Sequence, residues 1–351
     1  AEAAASALSL YARLLYDKNR FSEALQQYAS AVDVMKEARS RLPKESLFIV
    51  GLTDLYTKTA ETHQAAGAAA KAEECLAFVL EYAEKARRAD YSARRDLVVT
   101  EAYLRAAAIL EARGKFTLAA RHALSAVAAA ETALSTNPTP AKRRTRIFAL
   151  LSAGRLLRAV GTDAQADEEL QKAVMLSREA MQDRAMLHQE HITPLAVECL
   201  LSLADLRAAY GKENEARGLL HEAETLPASP PDEKGSAEYL AWTAGWQRLS
   251  MARYGLAARL ERDAGNVMTA ETLIRELLRF YAEARNKTAD GIYALFVGQG
   301  GIALEILRAE GRSADAQSWY EAACRLADKE LQTPEPTALS RMQAAEIYVQ
   351  G

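Results

Sequence analysis

Residues 150–173 read LLSAGRLLRAVGTDAQADEELQKA, and this stretch decides the fold. A small residue, Gly154, stands seven positions before Gly161, and Ala166 stands five positions after it. Glycine adopts the left-handed backbone conformation that ends a helix at little energetic cost. Apolar residues recur at helical spacing on both sides of Gly161, so the stretch predicts two helices joined by a tight turn.

The same sequence pattern recurs along the whole chain of 351 residues, of which 17 are glycine. Equivalent turn positions are occupied by Asn19, Gly67, Gly114, Gly161, Gly211, Gly265, Gly311 and Gly351. The first seven are each followed, five positions later, by Ala24, Ala72, Ala119, Ala166, Ala216, Ala270 and Ala316. The residue seven positions before the turn is small in every case except Leu304. Small residues on both sides of a turn let two antiparallel helices approach closely, which predicts a series of helical hairpins.

This pattern resembles the tetratricopeptide repeat (TPR), and the resemblance covers nearly the whole chain. The spacing of the turn residues averages about 47 residues, against the 34 of that family. The first aromatic position of the repeat is never Trp and holds Leu8, Tyr56, Tyr103, Leu150, Leu200, Tyr254 and Gly300. Variants of the family with longer helices are more similar, as in kinesin light chain-like proteins and the sensor arms of bacterial signalling ATPases. The resemblance implies an all-α fold, a right-handed α-solenoid of TPR-like helical hairpins.

We therefore expect one solenoid over residues 1–351, made of seven hairpins and a final first helix. A proline-rich segment accounts for the longest repeat spacing, so we expect a bend at residues 227–235. Residues 338–351 repeat a first helix without a second one, and Ile347 and Tyr348 do not form a polar cap. We expect more of the same chain, or another subunit, to cover that end.

Composition restricts the class of protein. The formal net charge is −3 and the sequence pI is about 6.1, which does not favour attraction of the whole molecule to nucleic acid. No apolar run reaches the length that spans a bilayer. Cys75, Cys199 and Cys324 lie far apart in helical patterns, which predicts small buried residues in a reducing compartment. These features favour a soluble protein of the cytoplasm.

Two patterns suggest cofactor or metal chemistry, and we interpret both as structural. Gly298-Gln299-Gly300-Gly301 lies in helical register instead of following a strand, so it favours a thinned helix face over a phosphate-binding loop. His188 and His191 flank Glu190 but lack a third predictable metal ligand. The chain also contains no nucleophile elbow and no Walker sequence. We therefore predict no enzyme activity, no cofactor and no metal.

A basic stripe is the first candidate binding surface. Arg144, Phe148, Leu151, Arg155 and Arg158 follow helical spacing on the first helix of the fourth hairpin. The resemblance implies that first helices line the concave surface, where arginines would grip an acidic peptide. The chaperone-tail clamp of the family requires Lys and Asn at slots that hold other residues here, such as Ser9 and Arg13. We therefore predict a protein-interaction scaffold that is not a chaperone-tail adaptor.

Two further surfaces are candidates. Trp242 and Trp246 stand four residues apart. They either pack beneath the proline-rich loop or form an aromatic anchor for a partner protein. In the C-terminal half, concave slots hold glycines with arginines beside them, which suits an extended or helical segment with acidic residues. The candidate partner-binding residues are Arg144, Arg155, Arg158, Trp242, Trp246, Gly255, Arg259, Arg262, Gly298, Gly301 and Arg308.

Two alternative functions remain open at the sequence level. The basic stripe could bind RNA, although the chain lacks a basic groove interleaved with aromatic residues. The chain could also be the non-catalytic portion of a multidomain enzyme whose active domain lies outside it. The leading prediction is a subunit of an assembly, or the recognition arm of a longer signalling protein.

Overall fold

The computed structural model describes residues 2–42, 46–88, 93–189, 192–226 and 237–285, and eight isolated positions between Arg308 and Cys324. The continuous ranges contain helices and turns, and no strand. The helices are α1 (Glu2–Asp17), α2 (Phe21–Arg41), α3 (Ser46–Ala65), α4 (Ala69–Arg88), α5 (Ala93–Ala112), α6 (Phe116–Thr136), α7 (Pro140–Ala159), α8 (Asp163–Met181), α9 (Arg184–Gln189), α10 (Thr193–Ala209), α11 (Glu213–Thr225), α12 (Ala237–Asp263) and α13 (Val267–Arg285).

Six tight turns join these helices into hairpins, and each has a residue in the left-handed conformation. Asn19 has a φ of 57°, and φ at the predicted glycines of the other five turns lies between 68° and 79°. In each turn the next residue donates its N–H to the carbonyl oxygen five positions back, as Thr162 does to Leu157 at 2.9 Å. This bond caps the first helix in the manner of a Schellman motif. The predicted turn positions are confirmed, and Gly311 (φ 70°) adds a seventh. Gly351 lies outside the described residues.

The small residues at the helix crossings are buried as predicted. All described alanines five positions after a turn are fully buried: Ala24, Ala72, Ala119, Ala166, Ala216 and Ala270. The slot seven positions before the turn is buried in the same hairpins, at Ala12, Ala60, Ala107, Gly154, Ala204 and Ala258. Ala316, Leu304 and Ala344 lie outside the described residues.

The chain divides into two compact units, Ala1–Glu169 and Leu170–Gly351. In the first unit the second helix of each hairpin packs on the first helix of the next, so that α2 contacts α3, α4 contacts α5 and α6 contacts α7. In the second unit α10 and α11 both contact α12. The prediction of an all-α solenoid of TPR-like hairpins is confirmed. A single continuous array with a bend at residues 227–235 stays a prediction, since 227–236 lie outside the described residues.

Ion pairs connect neighbouring hairpins, with partners a little less than one repeat apart in the sequence. Arg105 Nε lies 2.9 Å from Glu61 Oε1, and Arg178 Nη2 lies 2.6 Å from Glu222 Oε2. Each pair is separated by 44 positions along the chain (105 − 61 and 222 − 178). These pairs are partly exposed, so each stabilises the stack by only about 0–1 kcal/mol.

Two features differ from the sequence prediction. The short helix α9 lies between α8 and α10, and it contributes to the 50-residue spacing of this repeat. Helix α12 has 27 residues and begins at Ala237, so it is longer than the other helices and contains Trp242 and Trp246. The last predicted helix, residues 338–351, lies outside the described residues.

Gly51 has a packing role that the repeat pattern does not reveal. A Cβ atom at this position would overlap the terminal methyl group of Met35, which is the far end of a flexible side chain. Because α2 and α3 pack together here, glycine leaves the space that the Met35 side chain occupies. Of the three cysteines predicted to be buried, Cys199 is buried, and this burial raises the pKa of its thiol, whereas Cys75 and Cys324 are only half-buried.

Candidate functional site

A groove of about 440 Å³ lies between the first helices α5 and α7 in the first unit. Helix α5 lines it with Glu101, Leu104, Arg105, Ala107, Ala108 and Glu111. Helix α7 lines it with Arg144, Thr145, Phe148, Ser152, Arg155 and Leu156. The structure therefore brings Arg144, Phe148 and Arg155 of the predicted basic stripe to one cavity.

The groove is open because the residues along its centre are small. Ala107 and Ala108 line it from α5, and Ser152 lines it from α7. Ala108 is exposed, and Phe148 keeps 45% of its surface accessible. An exposed aromatic ring beside alanines offers a contact surface for an apolar side chain.

The two arginines of α7 flank Phe148 along one face of the helix. Arg144 and Arg155 are eleven positions apart, which is about three helical turns and about 16 Å along the axis. Both residues are exposed. Guanidinium groups bind carboxylates with paired hydrogen bonds, so the α7 wall of the groove suits a ligand with acidic groups near both ends.

The α5 wall carries carboxylates as well as Arg105. Partial burial raises the pKa of the Glu101 carboxyl above its ordinary value, and the nearby Asp54 and Glu61 carboxylates act in the same direction. The Arg105 guanidinium opposes this shift and also forms the ion pair with Glu61. The groove therefore has a basic wall on α7 and a wall of mixed charge on α5.

Replacing Glu101 by Gln is expected to stabilise the protein at pH 7, by less than about 1 kcal/mol because the side chain is partly exposed. The folded state holds the Glu101 proton more readily than the unfolded chain does. The stability that the Glu101 side chain contributes is therefore lost as pH rises from about 4.3, the ordinary pKa of glutamate, through the raised folded pKa.

Urea unfolding of Glu101→Gln and wild type between about pH 3.5 and pH 7 measures this effect. The difference in unfolding free energy is expected to vanish at the acidic end. Glu74→Gln, on the exposed face of α4, is the control for loss of one negative charge. A Glu101→Gln variant that is less stable than wild type at pH 7 would contradict the assigned direction.

The other residues of the basic stripe and the tryptophan pair lie outside this groove. Arg158 is half-buried near the end of α7, and its carbonyl oxygen accepts a hydrogen bond from the Gly161 N–H at 2.9 Å. Trp242 and Trp246 are half-buried on α12 in the second unit. Their rings stack with centroids 5.5 Å apart and an interplanar angle of 7°. Their role as a partner anchor stays a prediction.

The predicted glycine and arginine surface of the second unit differs in part from expectation. Gly255 is buried, as are Leu104 and Leu151, which occupy the same position ten residues before the turn in earlier hairpins. Arg259 forms an ion pair with Asp205. Arg262 Nη2 lies 2.8 Å from Asp263 Oδ1 on its own helix.

The remaining candidates of this surface are described only in part. Arg308 is exposed, whereas Gly298 and Gly301 lie outside the described residues. This surface as a binding site therefore stays a prediction.

Sequence reasoning missed the α5 wall of the groove. Glu101, Ala108 and Glu111 follow no recognisable motif, and only their register relative to Gly114 signals that they face the same side as Phe148 and Arg155. A second groove of about 410 Å³ was missed for the same reason, and it lies between α1 and α3. Its rim includes Lys58, whose Nζ lies 2.8 Å from Asp54 Oδ2 and donates to Ser9 Oγ at 3.2 Å.

The described residues also bear on two other classes of site, metal centres and membrane spans. Among them, no three His, Cys, Asp or Glu side chains are grouped so that they could hold a metal ion. None of the helices in the described ranges combines the length and apolar character needed to cross a membrane. Of the predicted histidine cluster, Glu190 and His191 lie outside the described part of the chain.

Comparison with known proteins shows the fold. No family model and no curated protein matches the sequence. The apo form of RapI has a similar structure, with a TM-score of 0.57 and 10% identity over 93% of this chain and 98% of that chain. BtubC (BKLC) from P. vanneervenii is similar with a TM-score of 0.54 and 13% identity over 76% of this chain and 93% of that chain. At these identities the likeness establishes a TPR-like helical-repeat fold.

Proposed function

We propose that this chain is a non-catalytic protein-interaction scaffold that binds an acidic segment of a partner protein in the groove between α5 and α7. The observation that carries the proposal is the placement of Arg144 and Arg155 on either side of the exposed Phe148 along one open groove. A helical-repeat fold supports this role, since stacked hairpins offer extended surfaces to peptide segments.

The dimensions of the groove favour a short extended segment. In an extended chain, side chains at positions i, i+2 and i+4 point to one side and span about 13 Å. Acidic residues at the two ends of such a segment come within reach of Arg144 and Arg155, whose own side chains are long and flexible. An apolar residue between them meets Phe148, while Ala107 and Ala108 leave room for the backbone.

Fluorescence anisotropy with labelled Glu-Ser-Leu-Ser-Glu and Lys-Ser-Leu-Ser-Lys peptides tests the proposal, because residues 1, 3 and 5 of each peptide lie on one side of an extended chain. We expect the acidic peptide to bind at least about tenfold more tightly than the basic one, because only the acidic peptide pairs with the arginines. Arg155→Glu is expected to weaken binding of the acidic peptide by about tenfold. Arg121→Glu is the matched control, since Arg121 is exposed on α6 and does not line the groove. Equal binding by Arg155→Glu and wild type would place the site elsewhere.

The same experiment distinguishes RNA binding. A labelled single-stranded RNA that binds the wild type, with affinity falling steeply as salt rises, would favour the nucleic-acid alternative. We expect weaker salt dependence for the acidic peptide, because Phe148 and the alanines contribute apolar contacts that salt does not screen.

A further inference from the structure

The α5 wall of the α5–α7 groove carries two carboxylates, those of Glu101 and Glu111. Neither side chain forms a hydrogen bond or an ion pair with any residue that the structure describes. Arg105, which lies between them on α5, is already paired with Glu61 through the 2.9 Å contact of Nε with Oε1. The wall therefore presents two carboxylates to a ligand, while the Arg105 guanidinium is engaged outside the groove.

The surroundings of Glu101 favour a cation at this end of the groove. Partial burial and the nearby Asp54 and Glu61 carboxylates raise the pKa of the Glu101 carboxyl. Asp54 is paired with Lys58, and Glu61 is paired with Arg105. When Glu101 is ionised, its charge is the one in this set that no cation of the protein balances at contact distance. A cationic side chain of a ligand beside Glu101 supplies that balance.

The carboxylates of α5 and the guanidiniums of α7 form two rows that are offset along the groove. Helices α5 and α7 run in the same direction, because each is joined to α6 by a short connection and packs against it. Glu101 stands four positions nearer its turn than Arg144 does, and Glu111 stands three positions nearer than Arg155 does. Each carboxylate is thus displaced from an arginine by about 5 Å in the same direction.

An extended segment matches two offset rows of opposite charge. Successive side chains of an extended chain lie on opposite sides and are about 3.3 Å apart along it. When residues 1, 3 and 5 face the α7 wall, residues 2 and 6 face the α5 wall and span about 13 Å. Glu101 and Glu111 are ten positions apart, about 15 Å along α5, so flexible lysine side chains at residues 2 and 6 reach both.

We propose that the α5–α7 groove selects a partner segment in which each acidic residue has a basic neighbour, with the acidic residues on the arginines of α7 and the basic residues on Glu101 and Glu111. This inference rests on the proposed binding of an acidic segment and adds a requirement for basic residues on its other side. Glu101 and Glu111 then determine specificity, because they attract a segment of alternating charge and repel one that is acidic on both sides.

Anisotropy titrations of the wild type with matched peptides test this requirement. Labelled Glu-Lys-Leu-Ser-Glu-Lys with blocked ends has the pattern for a segment that runs parallel to α7, and Lys-Glu-Ser-Leu-Lys-Glu has it for the opposite direction. In the control peptides serine replaces both lysines. We expect the more tightly bound lysine peptide to exceed its serine control about fivefold in affinity, because two partly exposed ion pairs are added.

Protein variants assign this preference to the α5 wall. Glu101→Gln combined with Glu111→Gln is expected to remove most of the preference for lysine, while the serine peptide binds at least as tightly as it does to the wild type. Glu74→Gln combined with Glu179→Gln is the charge-matched control, since both residues are exposed and neither lines the groove. This control is expected to keep the fivefold preference. Circular dichroism of each variant confirms that the helices are intact.

The possible results separate this inference from the proposal on which it rests. Equal binding of the lysine and serine peptides, with both weakened by Arg155→Glu, would overturn the inference and leave the site for an acidic segment intact. A preference for lysine that persists in the variant with Glu101→Gln and Glu111→Gln would also overturn it. Binding of neither peptide would overturn the proposed function, and the inference with it.

Discussion

Replacing Lys142 by Ala is expected to lower the free energy of unfolding by about 3 kcal/mol. Only 2% of Lys142 is exposed, and its Nζ donates a hydrogen bond to the Ala133 carbonyl oxygen at 2.7 Å. Ala133 lies in the last turn of α6, and its carbonyl oxygen also accepts a long hydrogen bond, 3.5 Å, from the N–H of the C-cap residue Asn137. The ammonium group therefore caps α6 while its buried stem fills space at the start of α7.

The Ala substitution removes both contributions, since it leaves a cavity and takes the ammonium donor from the Ala133 carbonyl. Lys142→Met keeps most of the stem, so we expect it to cost less than Lys142→Ala. Arg121→Ala, on the exposed face of α6, is the control and is expected to stay within about 0.5 kcal/mol of wild type. Urea unfolding followed by circular dichroism measures all three variants. A stability of Lys142→Ala equal to that of Arg121→Ala would show that the buried amine does not cap α6.

Replacing Ala166 by Leu is expected to lower the free energy of unfolding by about 2–3 kcal/mol. Ala166 is fully buried in the first turns of α8, directly after the turn at Gly161, and its N–H donates to the Thr162 carbonyl oxygen at 3.0 Å. Three additional carbon atoms at this position must push α8 away from α7 or distort the turn. Interiors packed at crystal-like density cannot absorb that volume without strain.

Ala164→Leu provides the matched comparison, because Ala164 is exposed on the same helix two positions earlier. The same chemical change there is expected to leave the melting temperature nearly unaltered. Equal melting temperatures for Ala166→Leu and Ala164→Leu would mean that the small residue after the turn does not limit the helix crossing. Because the slot repeats in every described hairpin, Ala119→Leu is expected to behave like Ala166→Leu.

The α5–α7 groove was predicted in part. Helical spacing alone places Arg144, Phe148 and Arg155 on one face of α7, and the resemblance to TPR proteins implies that this face is concave. The opposite wall was not predictable, because nothing in the sequence of α5 marks Glu101 or Ala108 as groove residues. Gly255 shows the reverse case, since a glycine on a first helix was expected at the surface and is buried by the neighbouring helices.

The sequence by itself determined the helical hairpins. Each hairpin depends on a left-handed turn residue and on the small residues five positions after it and seven positions before it. These residues lie within about a dozen positions of one another, so a single stretch of sequence predicts the hairpin. Only the tertiary structure decided how hairpins are matched to one another. The contacts of Arg105 with Glu61, of Arg259 with Asp205 and of Met35 with Gly51 each join different hairpins. These contacts depend on how each helix is rotated and shifted relative to the helix that it packs against in the next hairpin. The rotation and the shift follow from the shapes of side chains on both hairpins, and the sequence of one repeat does not specify them.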